Sequence, residues 1–340
     1  MPVHASVFLD YGTECINRGR QHQPPVSERC FKAHFKLTPN ACRALYQRLL
    51  DHIRPLSTSY LYPKVRFDNT EPRHLLWVLH HFFTNPTEEI GSSFFGVTPK
   101  TYRKYVWVMA YFLQELSSHI VSLTEHSTIQ YLFCPFVFST HLLYFWQVKL
   151  NNRYIQSTGC ECLMTIDGID LQINEPTQFD PLWFSHKFNG PALRYEVGVS
   201  IQTGWIVWIH GPFPAGDFPD IEIFRLGLYD LLAPNERVEA DMGYSGDDKT
   251  RNPNDFNDNI EWRYQKGKAM ARHEAVNGKM KQFKILSSVF IGNRNRHYII
   301  FNAIAAIVQS EIFEGRIVFE LANYDVRKLN EARDGEADEV

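Results

Sequence analysis

The sequence predicts a mixed α+β/α/β chain, an all-helical N-terminal part followed by a mixed sheet flanked by helices, and three observations carry that expectation. Between Pro72 and Leu116 the apolar residues recur at helical spacing. From Cys162 to Ile209 they come in β-branched and aromatic runs, the last two separated by the compact turn Gln202-Thr203-Gly204. Beyond Asp220, helix-like and strand-like segments alternate. The boundaries implied are 1–71, helical and partly irregular; 72–125, a helix-turn-helix region; 126–158, an aromatic-rich linker or insertion; 159–325, the sheet domain; and 326–340, an acidic tail of disordered composition. At 340 residues, 44% hydrophobic and 14% aromatic, the chain can fill one large core or two ordinary ones.

Each helical element has its own signals. "PRHLLWVLHHFF" starts at Pro72, and "NPTEEIGSSFFGV" is a short helix opened by Thr87 and closed near Gly96. "TPKTYRKYVWVMAYFLQEL" follows, with Thr98 as N-cap and Pro99 in the first turn. A short helix, a glycine turn and a helix whose first turns display Lys100, Thr101, Arg103 and Lys104 form the pattern of a helix-turn-helix. Val106, Met109, Phe112 and Leu113 would hold the third helix to its domain. An ordinary bundle with a solvated basic face fits this segment equally well.

The most apolar stretch, Tyr131 to Val148, is interrupted by Pro135 and His141 and is short for a membrane span. It reads as an insertion or a gene-model error rather than a membrane helix. The N-terminus lacks the basic and apolar regions of a secretory signal, so an intracellular protein is expected. The cysteines at 15, 30, 42, 134, 160 and 162 are irregularly spaced and lack the paired pattern of a zinc site, so they are expected to be reduced.

In the sheet region, "CLMTIDGIDLQI" places Asp167 in the middle of a strand, where an ionised carboxylate is costly without a partner or metal. "RYEVGVSIQ" and "GWIVWIHGPFP" continue an antiparallel group. Asp220 then caps an amphipathic helix with Ile221, Phe224, Leu228 and Leu231 or Leu232 inward. "RVEADMGYSG" is a strand ending in a second acid, Asp241. In "GKAMARHEAVNGKMKQFKIL", Glu274, Asn277 and Lys281 share one helical face. Acids on a first strand, a later strand and a following helix suit a two-metal phosphodiester site, because carboxylate oxygens are hard ligands for Mg2+ or Mn2+.

The run "DGID…EP…FDPLWFSHKFNGPALRYEVGVSIQTGWIVWIHGPFPAGDFPDIEIFR…ADMGY…ARHEAVNGKMKQF" resembles the DDE-superfamily endonuclease domain of Harbinger-like transposases, across most of 163–321. The region "NPTEEIGSSFFGVTPKTYRKYVW" is similar to that family's DNA-binding part. The resemblance implies an RNase H-like fold, two Mg2+ or Mn2+ ions, and metal-binding acids at Asp167, Asp241 and Glu274, with Asp167 bridging both ions. It further implies phosphate contacts from Arg272 and Lys281, although Met270 stands where the family tends to carry a basic residue. His186 and Lys187 in "WFSHKF" are candidates to approach DNA.

The formal charge of −3 shows no global basic excess. Locally, however, Arg263, Lys266, Lys268, Arg272, Lys279, Lys281, Lys284, Arg294 and Arg296 face only Glu274 between 263 and 297, a block suited to phosphate neutralisation. The expected function is a DNA transposase that cuts element ends and joins the 3′-hydroxyl to target DNA. Its expected partners are duplex DNA at terminal repeats and target, a Myb-like DNA-binding protein and a second copy when ends are paired, with no membrane and a nuclear location. The alternatives are a retired, domesticated transposase that only binds DNA and a general metal-dependent nuclease.

Overall fold

The computed structural model describes residues 3–19, 24–56, 66–121, 162–176, 178, 180–233, 236–253, 260–315 and 321. The aromatic stretch 131–148, Cys134, Cys160 and the tail 326–340 lie outside them. The chain forms two compact units, one made of 1–120 and 279–316, the other of 121–278 and 317–340.

The first unit is all helical. Helices α1 (Ala5–Ile16), α2 (Glu28–Phe35), α3 (Pro39–Arg48), α4 (Pro72–Thr84), α5 (Glu88–Phe95) and α6 (Pro99–Ile120) precede α9 (Lys284–Ser287) and α10 (Arg294–Phe313). The start and stop signals act as read: the Thr87 hydroxyl accepts from the Ile90 amide, and the Thr98 hydroxyl from the Thr101 amide at 3.3 Å. Gly96 closes α5 in the left-handed conformation, φ 63°. The Arg18 guanidinium lies over that turn, donating to the Phe94 and Phe95 carbonyls at 3.3 and 3.1 Å. A Cβ on Gly96 would stand 2.1 Å from an Arg18 nitrogen. Gly96→Ala is therefore expected to destabilise this unit by about 2 kcal/mol, from left-handed backbone strain and the lost Arg18 cap, measured by denaturant unfolding.

Val106, Met109, Phe112 and Leu113 are buried as the spacing requires. The division differs from the sequence reading in two places: 1–71 and 72–120 fall in one unit, and the last helix changes sides. Helix α10, expected within the 159–325 domain, packs against α6 in the helical unit. Its residues 299–308 are almost wholly buried, which suits a helix surrounded by others rather than one lying on a sheet. Among the described residues no helix is long and apolar enough to cross a membrane, and Cys15, Cys30, Cys42 and Cys162 form no disulfide.

The second unit is a mixed sheet with helices. Strands β1 (Cys162–Gln172), β2 (Phe184–Ser185), β3 (Gly190–Ser200) and β4 (Ile206–Pro214) precede α7 (Asp220–Leu226). After it come β5 (Arg237–Glu239), β6 (Thr250–Arg251) and α8 (Ile260–Lys281), whose last three residues are grouped with the helical unit. β3 runs antiparallel to β1, β2 and β4, whereas β5 is parallel to β1 and β6 to β5. The order is thus β2-β3-β1-β5-β6 with β4 also on β3. Met164 and Ile166 of β1 join Trp208, Phe224, Leu228, Val238 and Tyr244 in a core on one face. Helix α7 is shorter than the amphipathic pattern suggests, and Asp220 is its first residue rather than its cap.

Candidate carboxylate site on the central strands

Strand pairing brings the first two acids together. Thr165 of β1 stands beside Glu239 of β5, so Asp167 and Asp241 each lie two residues beyond a registered pair. Because side chains alternate along a strand, Asp167 projects from the same face as Thr165. Helix α8 adds the third acid. The Asn277 side-chain amide donates to Asp167 Oδ2 at 3.1 Å, and Glu274 lies one turn earlier on the same helix. Asp241 accepts from the Gly243 amide at 2.8 Å, which opens the short turn Met242–Tyr244 and orients its carboxylate. Asp241 and Glu274 are exposed, and Asp167 is half-buried.

These carboxylates act on one another. Burial, then the charges of Glu274, Asp241 and Asp220, push the Asp167 carboxyl up to about 7, with Lys187 opposing. Glu274, Asp241, Asp220 and Lys187 thus all act on the Asp167 carboxyl. The coupling is through space: among the described residues no three His, Cys, Asp or Glu side chains stand close enough to hold an ion as they are placed. The donor chemistry fits Mg2+ or Mn2+, since all three acids offer hard oxygens and their mutual repulsion is what a cation relieves.

Asp220 is a fourth acid of this neighbourhood that sequence reasoning assigned only to a helix start. A Cβ on Gly243 would stand 3.0 Å from Asp220 Oδ2 and 3.0 Å from Asp241 Oδ1, so the two carboxylates flank one point. A Cβ on Gly168 would fall 2.1 Å from Asp220 Oδ1. Glycine beside Asp167, inside β1, is therefore a packing requirement. Burial raises the Asp220 carboxyl, and Arg194, 3.5 Å away, opposes the shift. Arg194 also grips Asp170 at 2.6 and 3.0 Å, and Ser185 donates to Asp170 at 2.6 Å. This network fastens β2, and so the turn carrying exposed His186 and Lys187, to the strands beside the acids. Gly168→Ala is expected to cost about 2 kcal/mol, through displacement of the Asp220 carboxylate, read as a lower denaturation midpoint.

Arg272 does not meet the expectation of a phosphate contact. It is 2% exposed, and its guanidinium donates to the Ser200 and Ile201 carbonyls at the β3–β4 turn, which bury it on a different face of α8 from Glu274. Burial lowers its pKa to about 10. Lys266 is likewise interior, its ammonium 3.3 Å from Glu239 and 2.5 Å from the Arg251 carbonyl. The basic block between 263 and 297 is thus partly structural, which charge counting cannot distinguish. Lys281 is half-buried at the end of α8, and Met270 is half-buried.

In the helical unit, Lys100, Arg103 and Lys104 are exposed on the first turns of α6. Arg103 is paired with Glu88 of α5 at 2.7 Å, and Lys104 stands 5.0 Å from the centre of the Tyr105 ring. Exposed pairing of this kind contributes little and yields readily to a competing anion. Comparison with protein-family models, curated proteins and solved structures finds no match to this chain.

Proposed function

We propose that this chain is a metal-dependent DNA endonuclease of the DDE transposase type, with an RNase H-like catalytic unit and a helix-turn-helix that engages DNA. The observation that carries the reading is the placement of Asp167 and Asp241 two residues beyond the Thr165–Glu239 pair of adjacent parallel strands, with Asn277 of the helix that bears Glu274 bonded to Asp167. The RNase H-like reading is supported by the strand order, in which antiparallel β1, β3 and β4 are joined on the β1 side by parallel β5 and β6.

Asp167, Asp241 and Glu274 would hold two Mg2+ or Mn2+ ions, which when bound supply Lewis-acid activation of water or a 3′-hydroxyl and stabilisation of the leaving oxygen. Asn277 holds the Asp167 carboxylate in one orientation, and the Gly243 amide does the same for Asp241. Lys187 sets a positive charge beside the acids, suited to a phosphate oxygen near the scissile bond. No protein nucleophile is required. Arg272, turned into the interior, takes no part in phosphate binding.

Lys100, Arg103 and Lys104 would meet the duplex from α6. Lys100→Ala and Lys104→Ala are each expected to weaken duplex binding and to lower the slope of log affinity against log salt by about one. The effect of Arg103→Ala should be smaller, because Arg103 must first leave Glu88. Unchanged affinity in all three would remove DNA contact from this helix. The proposed biological setting is cutting at terminal repeats and joining to target DNA in the nucleus, as a homo-oligomer with a Myb-like DNA-binding partner.

The test is Mg2+- or Mn2+-dependent nicking of duplexes carrying the element's flanking repeats, at fixed salt, by wild type and Asp167→Asn. Nicking by wild type alone supports the reading. Cutting without end preference would make the chain a general nuclease. Binding without cutting, with a Myb-like partner supplied, would make it a retired transposase that only binds.

A further inference from the structure

The acids stand above a buried polar layer rather than an apolar one. Thr165, two residues before Asp167, shares a 2.8 Å hydrogen bond with His273, the residue before Glu274. The Thr165 hydroxyl also lies 3.2 Å from the Val199 carbonyl, to which it donates, so the His273 Nδ1–H is the donor toward Thr165. Both residues are almost completely buried. Glu239, two residues before Asp241, is 0% exposed and receives the Arg251 guanidinium, at 2.8 Å from Nε. Lys266 of α8 completes the group, bridging the Glu239 carboxylate of β5 and the Arg251 carbonyl of β6.

Lys266, His273 and Asn277 follow at seven and four residues, which is one face of a helix. Each touches the sheet through a polar bond: Lys266 to β5 and β6, His273 to β1, and Asn277 to Asp167 itself. Directional bonds of this kind define the axial position and rotation of a helix more narrowly than interchangeable apolar contacts do. His273 and Asn277 fix the helix against β1. Lys266 alone of the three fixes it against β5, the strand that delivers Asp241.

We propose that Lys266 is a positioning residue that sets the separation between Asp241 and Glu274 by tying the strand before one acid to the helix bearing the other. The inference rests on the three acids forming a metal-binding set, and the readouts below separate its failure from the failure of that reading. Arg251 and Glu239 form the anchor to which Lys266 is tied. Replacing the ammonium with an apolar chain removes the bonds to Glu239 and the Arg251 carbonyl and is expected to leave the Glu239–Arg251 pair its own hydrogen bond.

The test compares full-length wild type, Lys266→Met, Lys266→Gln and Lys266→Arg in two measurements. In metal-free hydrogen–deuterium exchange, the Met and Gln variants are expected to exchange faster in peptides spanning 240–244 and 266–278, with the helical unit and the β1–β3 pairing unchanged and the Arg variant near wild type. In titration with Mn2+ alone, the Met and Gln variants are expected to bind about tenfold more weakly, with excess Mn2+ restoring the nicking rate. If Lys266→Met does not fold, Lys266→Gln is read by the same criteria. Folding of the Arg variant alone would overturn the positioning role, leaving Lys266 a residue the fold requires.

Local exchange and Mn2+ affinity both unchanged in a folded Met or Gln variant would overturn the proposal. Faster local exchange with normal Mn2+ affinity would also overturn it, leaving Lys266 a stabilising residue only. If wild type binds no Mn2+ but the exchange pattern responds as described, the tie between β5 and α8 stands and the metal-dependent reading of the acids falls.

Discussion

Asp167→Asn, Asp241→Asn and Glu274→Gln are each expected to lower metal-dependent nicking by about a thousandfold or more, equivalent to several kcal/mol in the barrier. Duplex binding should stay close to wild type. The amide replacements keep the shape of each side chain and remove only the charge that holds a cation. Asp167→Asn can still accept the Asn277 hydrogen bond through its carbonyl oxygen, so the local packing survives. Measured single-turnover cleavage with matched duplex affinities decides the matter. Activity within tenfold of wild type for any one variant would remove that acid from the site.

The second large effect is on stability and needs no substrate. Burial and the charges of Glu274, Asp241 and Asp220 raise the folded-state pKa of Asp167 from 3.8 to about 7, against the opposing charge of Lys187. The protonated acid is therefore favoured in the folded chain. Its stabilisation is complete below about pH 4, the unfolded value, and is lost as the pH rises through 7. Glu196 contributes in the same direction, since burial pushes its carboxyl up to about 8, whereas His273 and His297, both lowered to about 3 by burial, contribute stability that is lost as the pH falls. The informative quantity is thus the difference between wild type and Asp167→Asn. In metal-free protein at pH 8 the Asn variant should be more stable, on the order of 2 kcal/mol, and the difference should vanish near pH 4. Mg2+ or Mn2+ at pH 8 should stabilise wild type and leave Asp167→Asn nearly unmoved. A difference independent of both pH and metal would mean that the charge on Asp167 is not stressed by its neighbours.

Much of the local structure was legible in the chain. Thr87, Gly96, Thr98 and Pro99 mark helix ends through bonds and backbone angles that involve only neighbouring residues, so their meaning does not depend on the rest of the fold. The alternation around Asp167 likewise places Thr165, Asp167 and Ile169 on one side of a strand whatever that strand meets. The second and third acids were legible as positions at the end of a strand and on a helix face.

What the chain could not disclose is which charges are spent inside the protein. Arg272 and Lys266 read as part of a DNA-facing block, yet one binds the Ser200 and Ile201 carbonyls and the other the Glu239 carboxylate. Ile201 lies 71 residues from Arg272 and Glu239 lies 27 from Lys266, and no local rule links them. Asp220 looked like an ordinary helix start until Gly168 and Gly243 were seen to leave space for its carboxylate. Helix α10 belonged by sequence order to the sheet domain and by packing to the helices. Element identity follows from periodicity and capping, which neighbouring residues settle among themselves. Burial, ion pairing and the strain on Asp167 arise from groups that folding alone brings near.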